Sequence, residues 1–257
     1  MNIRVERWCV YSGLAFVVLF GIGYWAIAHL VPPPSPLKTP AEMASFYSHR
    51  TNYLRLGLLV GLAGAPLEVP FITAISRQLR RIGREVATLS VIQVAAGALG
   101  VLVLTYPFIF IEVAAFRPER NPDVTQGLND VAWLALLGVF FPAVLQNMVI
   151  AIGIFLDRRP EPIFARWLAY FNIFIALSFV PAGLLFFFKS GPFAWPGIFV
   201  WWIPAITFFA WYLVMAFSLL GALKREVAET IGRDQSAARL NLGDDSQGVD
   251  PAAVRAT

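Results

Sequence analysis

The chain has one cysteine, Cys9, and two histidines, His29 and His49. A single cysteine excludes an internal disulfide. His29 closes an apolar run and His49 falls in an expected loop, so the two make neither a helical metal pair nor a bis-histidine haem site. With Glu112 and Asp130 they form only a loose candidate metal set on one side of the chain's expected topology, and no metal or other cofactor is predicted. The sequence contains no G-x-S-x-G, H-E-x-x-H or Walker lysine pattern, so no catalytic residue is assigned and an enzyme is not favoured. Charge is scarce as well. Charged residues make up 14% of the chain, against about 25% in soluble domains.

What fills the space is oil. Hydrophobic residues make up 58% of the 257, and the mean hydropathy is +0.67. A helix needs roughly 20 apolar residues to cross a bilayer core. Six stretches qualify, at about residues 11–31, 54–75, 88–111, 131–155, 166–187 and 199–221. None alternates with the period of two that a barrel strand requires. The first has Arg4 and Arg7 ahead of it, but its apolar run is too long for a signal peptide and no A-x-A site follows. The fold class expected is therefore all-α: a polytopic membrane protein, one bundle of six transmembrane helices over residues 1–231. The polar, aperiodic residues 232–257 are expected to form a disordered cytoplasmic tail.

The basic residues orient this bundle. With the N-terminus in the cytoplasm, 14 of the 20 lysines and arginines fall inside and 6 outside. Both termini are thus expected to be cytoplasmic, in a bacterial inner membrane. The bilayer is the partner this implies. Nucleic acid is not, because the basic residues flank the spans. In the inner loop "SRQLRRIGRE", Arg77, Arg80, Arg81 and Arg84 share one helical face and are candidates for contact with anionic lipid headgroups. Between spans one and two, "VPPPSPLKTPAEM" starts as polyproline and should turn helical after Pro40. Before span four, Asn129 or Asp130 is the expected helix cap.

The second span carries the main anomaly. In "GAPLEVPFITAI", Glu68 stands between Pro66 and Pro70 inside an apolar run. At about 100° per residue, Gly57, Gly61, Gly64 and Glu68 share one face, and a stripe of small residues lets another helix approach closely. Glu68 should then face a neighbour or a cavity, with the prolines bending the helix on the opposite side. Its depth is about 10 Å from the inner boundary. Gln93, Asn147 and Asn172, on three other spans, lie at about 8–12 Å, and Gln146 is beside Asn147. These five residues are the candidate ligand- or proton-binding layer. A carboxylate in hydrocarbon is costly unless paired, hydrated or neutral. The competing expectation is that the layer is interhelical hydrogen-bond glue.

The strings "AFRPERNPDVTQGLNDVAWL", "LDRRPEPIFARWLAYFN" and "FFFKSGPFAWPGIFVWW" resemble a group of uncharacterised bacterial six-helix integral membrane proteins, over about residues 46–223. That resemblance implies an inner-membrane protein and carries over no activity and no catalytic residues. Two functions remain open. One is transport or binding of a small or lipophilic molecule through the Glu68 layer. The other is a non-catalytic membrane anchor or scaffold subunit of a larger complex.

Overall fold

The computed structural model describes residues 3–247, with side chains through residue 232. Among the described residues there are helices and no strands. Six helices are long and apolar enough to cross a membrane: α1 Ile3–Ile27, α2 Pro40–Arg80, α3 Arg84–Phe116, α4 Pro122–Phe155, α5 Trp167–Phe186 and α6 Ile198–Gly232. Each falls on one of the six apolar stretches, although α1 ends at Ile27, four residues short of the end of the first expected span. They pack in chain order as a ring. α1 lies against α2 and α6, α2 against α3, α3 against α4, the second half of α4 against α5, and α5 against α6.

Helices α2 and α4 start well before their apolar runs. α2 begins at Pro40, as the sequence suggests. Thr39 accepts from the Glu42 N–H, and the Glu42 carboxylate accepts from the Thr39 N–H at 2.7 Å, a reciprocal cap. α4 begins at Pro122 with Asn121 as its cap, which accepts from the Asp123 N–H at 2.9 Å. The expected cap residue Asn129 instead lies inside the helix and is fully buried, accepting from the Tyr47 hydroxyl and the Trp133 indole. Proline at the first helical position needs no N–H partner and has its φ already set, so the helix starts there.

The glycine stripe does what its spacing suggests. α1 ends in a π-helical turn, Ile22–Ile27, and packs it on α2. A Cβ on Gly23 would lie 2.7 Å from the Gly61 nitrogen, and one on Gly57 would lie 2.5 Å from the Ala28 nitrogen. The two backbones are in contact, and glycine is the residue that permits it.

Charges gather at the end of the bundle where α1 begins and the sixth span ends. Arg77 pairs with Glu6 of α1 at 2.8 Å and with Glu226 of α6 at 2.7 Å, and Arg81 pairs with Glu226 and Glu229. Arg80 donates to Ser90 across the α2–α3 turn, and Arg84 is exposed. Two of the four arginines expected on lipid headgroups therefore spend their charge on acids of α1 and α6. Sequence spacing aligned the four on one face, and only packing brought the acids to it. In the α4–α5 connection, Asp157 is buried and accepts from the Arg159 guanidinium and from the Ile163 and Arg159 N–H groups. Burial alone would raise its carboxyl, but these donors win and hold it below the ordinary carboxylate range.

At the opposite end, the α5–α6 turn is tied to the α1–α2 loop: Trp195 is buried and its indole donates to the Pro34 carbonyl at 2.7 Å. Beyond the sixth span the backbone stays helical to Gln247, where the polar composition suggested irregular chain. A helix already nucleated within a span extends without paying for a new nucleus. The remainder of the expected disordered tail, residues 248–257, lies outside the described residues.

Candidate functional site

Helices α2 and α4 are each interrupted partway along their length beside a proline, and residues at both interruptions line the ring's interior. α2 runs as α-helix to Gly64, takes a single 3-10 turn over Ala65–Leu67, and resumes at Glu68. Pro66 has no N–H, and the Glu68 N–H reaches back to the carbonyls of Ala65 and Pro66 instead of the fourth residue. α4 stops at Gly138, leaves helical geometry at Val139, and restarts at Phe141 with Pro142 in its first turn. Glu68 therefore follows one break directly, and Gln146 and Asn147 lie one to two turns after the other.

Between these breaks the ring encloses a cavity of about 340 Å³. That is within the range of small-molecule sites and far above what one water needs. Its walls come from all six helices, and eleven of its 31 lining residues are aromatic, against 14% of the chain. Neighbouring rings run as a continuous wall from one end to the other. Trp201 stacks on Tyr24 at 6.0 Å, Tyr24 on Phe20 at 5.3 Å, Phe20 packs on Phe208 at 6.3 Å, and Phe208 packs on Tyr212 at 5.1 Å.

The polar groups are few and sit at the two ends. At one end is Glu68, only 5% exposed. Its Oε2 accepts from the hydroxyl of Tyr212 on α6. Its Oε1 has no protein partner. Gln146 and Asn147 line the same cavity from α4. The Asn147 Nδ2 donates to the Ala143 carbonyl at 2.8 Å, which leaves its Oδ1 unpartnered, and the Gln146 Nε2 is unpartnered as well. Gly97 makes room for Gln146, because a Cβ there would stand 2.9 Å from that nitrogen. At the other end, the Tyr24 hydroxyl and the Trp201 indole N–H are buried without partners. Buried polar atoms are normally paired, so a cavity with unpaired groups at both ends is unusual for a merely structural interior.

The five residues expected to form one layer divide three ways. Glu68, Gln146 and Asn147 share the cavity. Gln93 is fully buried with both amide atoms unpartnered, but it lies outside the cavity lining. Asn172 also lies outside it and is engaged structurally. It accepts from the Trp211 indole at 3.0 Å and donates to the Leu168 carbonyl at 2.7 Å. No direct hydrogen bond joins the four amides to Glu68 among the described residues. The acid's protein partner is Tyr212, which sequence inspection passed over. Tyr212 is nine residues before the expected end of the last span, so about 13 Å deep and within reach of Glu68's layer. Counting phenols among the polar groups would have found it.

The loose metal set does not assemble. Among the described residues no group of three or more histidine, cysteine or acidic side chains is close enough to hold an ion. His29 and His49 share a shallow surface pocket, whereas Glu112 pairs with Arg55 at 3.8 Å and Asp130 accepts from Asn129. No family model, curated protein or solved structure matches the chain.

Proposed function

We propose that the chain is a multi-pass protein of the bacterial inner membrane, termini in the cytoplasm, that binds or transports a small lipophilic molecule through its central cavity. The observation that carries this is the placement of Glu68. A buried acid with one oxygen tied to Tyr212 and the other open faces an aromatic-walled cavity of about 340 Å³. Apolar walls with a few convergent polar groups are the usual build of a small-molecule site. A purely structural acid would be expected to have both oxygens paired. Broken helices at membrane depth are tolerated where they line a cavity, and they recur at transporter binding sites. Under the same orientation, Arg80 and Arg84 are the two of the four arginines left to meet anionic headgroups.

A ligand screen by thermal shift on the purified chain tests the proposal, with Ala205→Phe as the control. Ala205 lines the cavity, and a phenyl group there fills part of it. A true occupant raises the melting midpoint of the wild type and not of the filled variant. Lipophilic hits that stabilise both equally would refute the site.

One feature favours the scaffold reading. The last helix continues to Gln247, some 15 residues past Gly232, so roughly 22 Å of helix beyond the contacts that Arg225, Glu226 and Glu229 make with the bundle. A projecting helix of that length is suited to dock a partner. Truncation after Gly232 that leaves ligand binding intact but removes a co-purifying subunit would assign that role to it.

A further inference from the structure

We infer that the occupant of the central cavity is a lipophilic organic cation, its charge seated against Glu68 Oε1 and its apolar body against the aromatic wall. The inference rests on the cavity being a binding site, as proposed above. Among the described residues Glu68 is the one charged side chain in the cavity lining, and no lysine or arginine reaches it. Tyr212 supplies a single hydrogen bond and no charge. A carboxylate held this way lacks the counter-ion that buried charges require. The second free acceptor at this end, Asn147 Oδ1, is held in that orientation because its amide nitrogen is committed to the Ala143 carbonyl. Both are open, electron-rich oxygens that attract positive charge, and the carboxylate oxygen requires it.

Other ligand classes fit less well. An anionic ligand would bring a second negative charge beside Glu68 with no basic side chain to meet it. A neutral alcohol would satisfy Asn147 and leave the acid uncompensated. An ammonium or phosphonium centre answers the charge, and Tyr212, Trp211 and Phe208 line the same cavity, aromatic groups of the kind that attract cations. Part of the cavity wall lies at the bundle surface. The cavity lining includes Trp25, Trp202 and Ile206, which are 64%, 41% and 65% exposed on the bundle surface. Lipophilic cations concentrate in the bilayer and would reach the cavity from there.

The test compares two probes of one shape and opposite charge, tetraphenylphosphonium and tetraphenylborate, with neutral triphenylmethane as the third. Binding to the purified full chain in nanodiscs is measured by equilibrium dialysis, for wild type, Glu68→Gln, Glu68→Asp and Ala205→Phe, each checked for fold by circular dichroism. The phosphonium should bind wild type saturably. Binding should weaken about 30-fold or more in Glu68→Gln, as expected when one partner of a desolvated charge pair is removed. It should survive in Glu68→Asp, which keeps the charge. Borate should not bind saturably. Equal phosphonium binding by wild type and Glu68→Gln, or borate binding as tight as phosphonium, overturns the cation assignment. Saturable triphenylmethane binding that Ala205→Phe abolishes, with no phosphonium binding, overturns it too but leaves the cavity site standing. If none of the three binds wild type, the cation assignment and the cavity reading fall together.

Discussion

Three glycines of one stripe should respond to alanine in three different ways. On a helical wheel Gly57, Gly61 and Gly64 are equivalent positions of the α2 face. In the folded protein they are not. At Gly57 an added Cβ collides with the Gly23 carbonyl and stands 2.5 Å from the Ala28 nitrogen, both backbone atoms that cannot swing aside. Relief requires α1 and α2 to separate, which should cost about 1–3 kcal/mol or more, the range seen for overpacked sites. At Gly61 a Cβ meets nothing within 4 Å. Only the backbone term remains, and alanine is favoured over glycine inside a helix by about 0.8–1 kcal/mol. At Gly64 the Cβ would be 3.1 Å from the Leu19 Cβ, a tight contact that a few tenths of an ångström relieves, so the helix gain and the contact cost roughly offset. At about 2–4 °C per kcal/mol for a chain of this size, Gly57→Ala should melt several degrees below wild type, Gly61→Ala a few degrees above, and Gly64→Ala near it. Apparent midpoints of the purified protein, compared at one scan rate because unfolding of such proteins is often irreversible, provide the assay. A Gly61→Ala variant as damaged as Gly57→Ala would refute the α1–α2 packing from which the ranking is worked.

Two further outcomes are expected. Tyr212→Phe removes the one protein donor to Glu68. If Glu68 is ionised, the loss should cost about 1.5–3 kcal/mol, and about 0.5–1.5 kcal/mol when repeated in the Glu68→Gln background. A double-mutant cycle on the melting curves reads the difference, and no coupling would place the two side chains apart. Asp157 gives a pH dependence. Its folded carboxyl is held below the ordinary range, so its stabilisation is present above the unfolded value of about 3.9 and is lost as pH falls through the folded value. Wild type should therefore lose stability below about pH 4. Asp157→Asn should lack that component and be weaker by about 1.5–3 kcal/mol at neutral pH. Parallel pH–stability profiles for the two would exclude it.

Much of the candidate site was legible, and the limits have physical reasons. The face of α2 that Glu68 shares with Gly57, Gly61 and Gly64 follows from helical period, and it did turn inward. Depth was estimated from rise per residue, and Gln146 and Asn147 do share the cavity lining with Glu68. Depth says nothing about azimuth between helices, and Gln93 and Asn172 lie outside the cavity lining. Arg77 and Arg81 looked like lipid contacts because the acids that take their charge, Glu6, Glu226 and Glu229, are distant in sequence.

The sequence by itself determined that six helices form, about where each lies, and that an acid with small neighbours faces inward. Those follow from the length an apolar segment needs to cross hydrocarbon and from the 3.6-residue repeat, both local properties of a chain. Only the tertiary structure decided that Tyr212 holds Glu68, that Trp211 occupies Asn172, and that proline breaks in α2 and α4 meet across one cavity. Those depend on how six separate rods rotate and order themselves around a common axis, which side-chain packing sets and no single segment encodes.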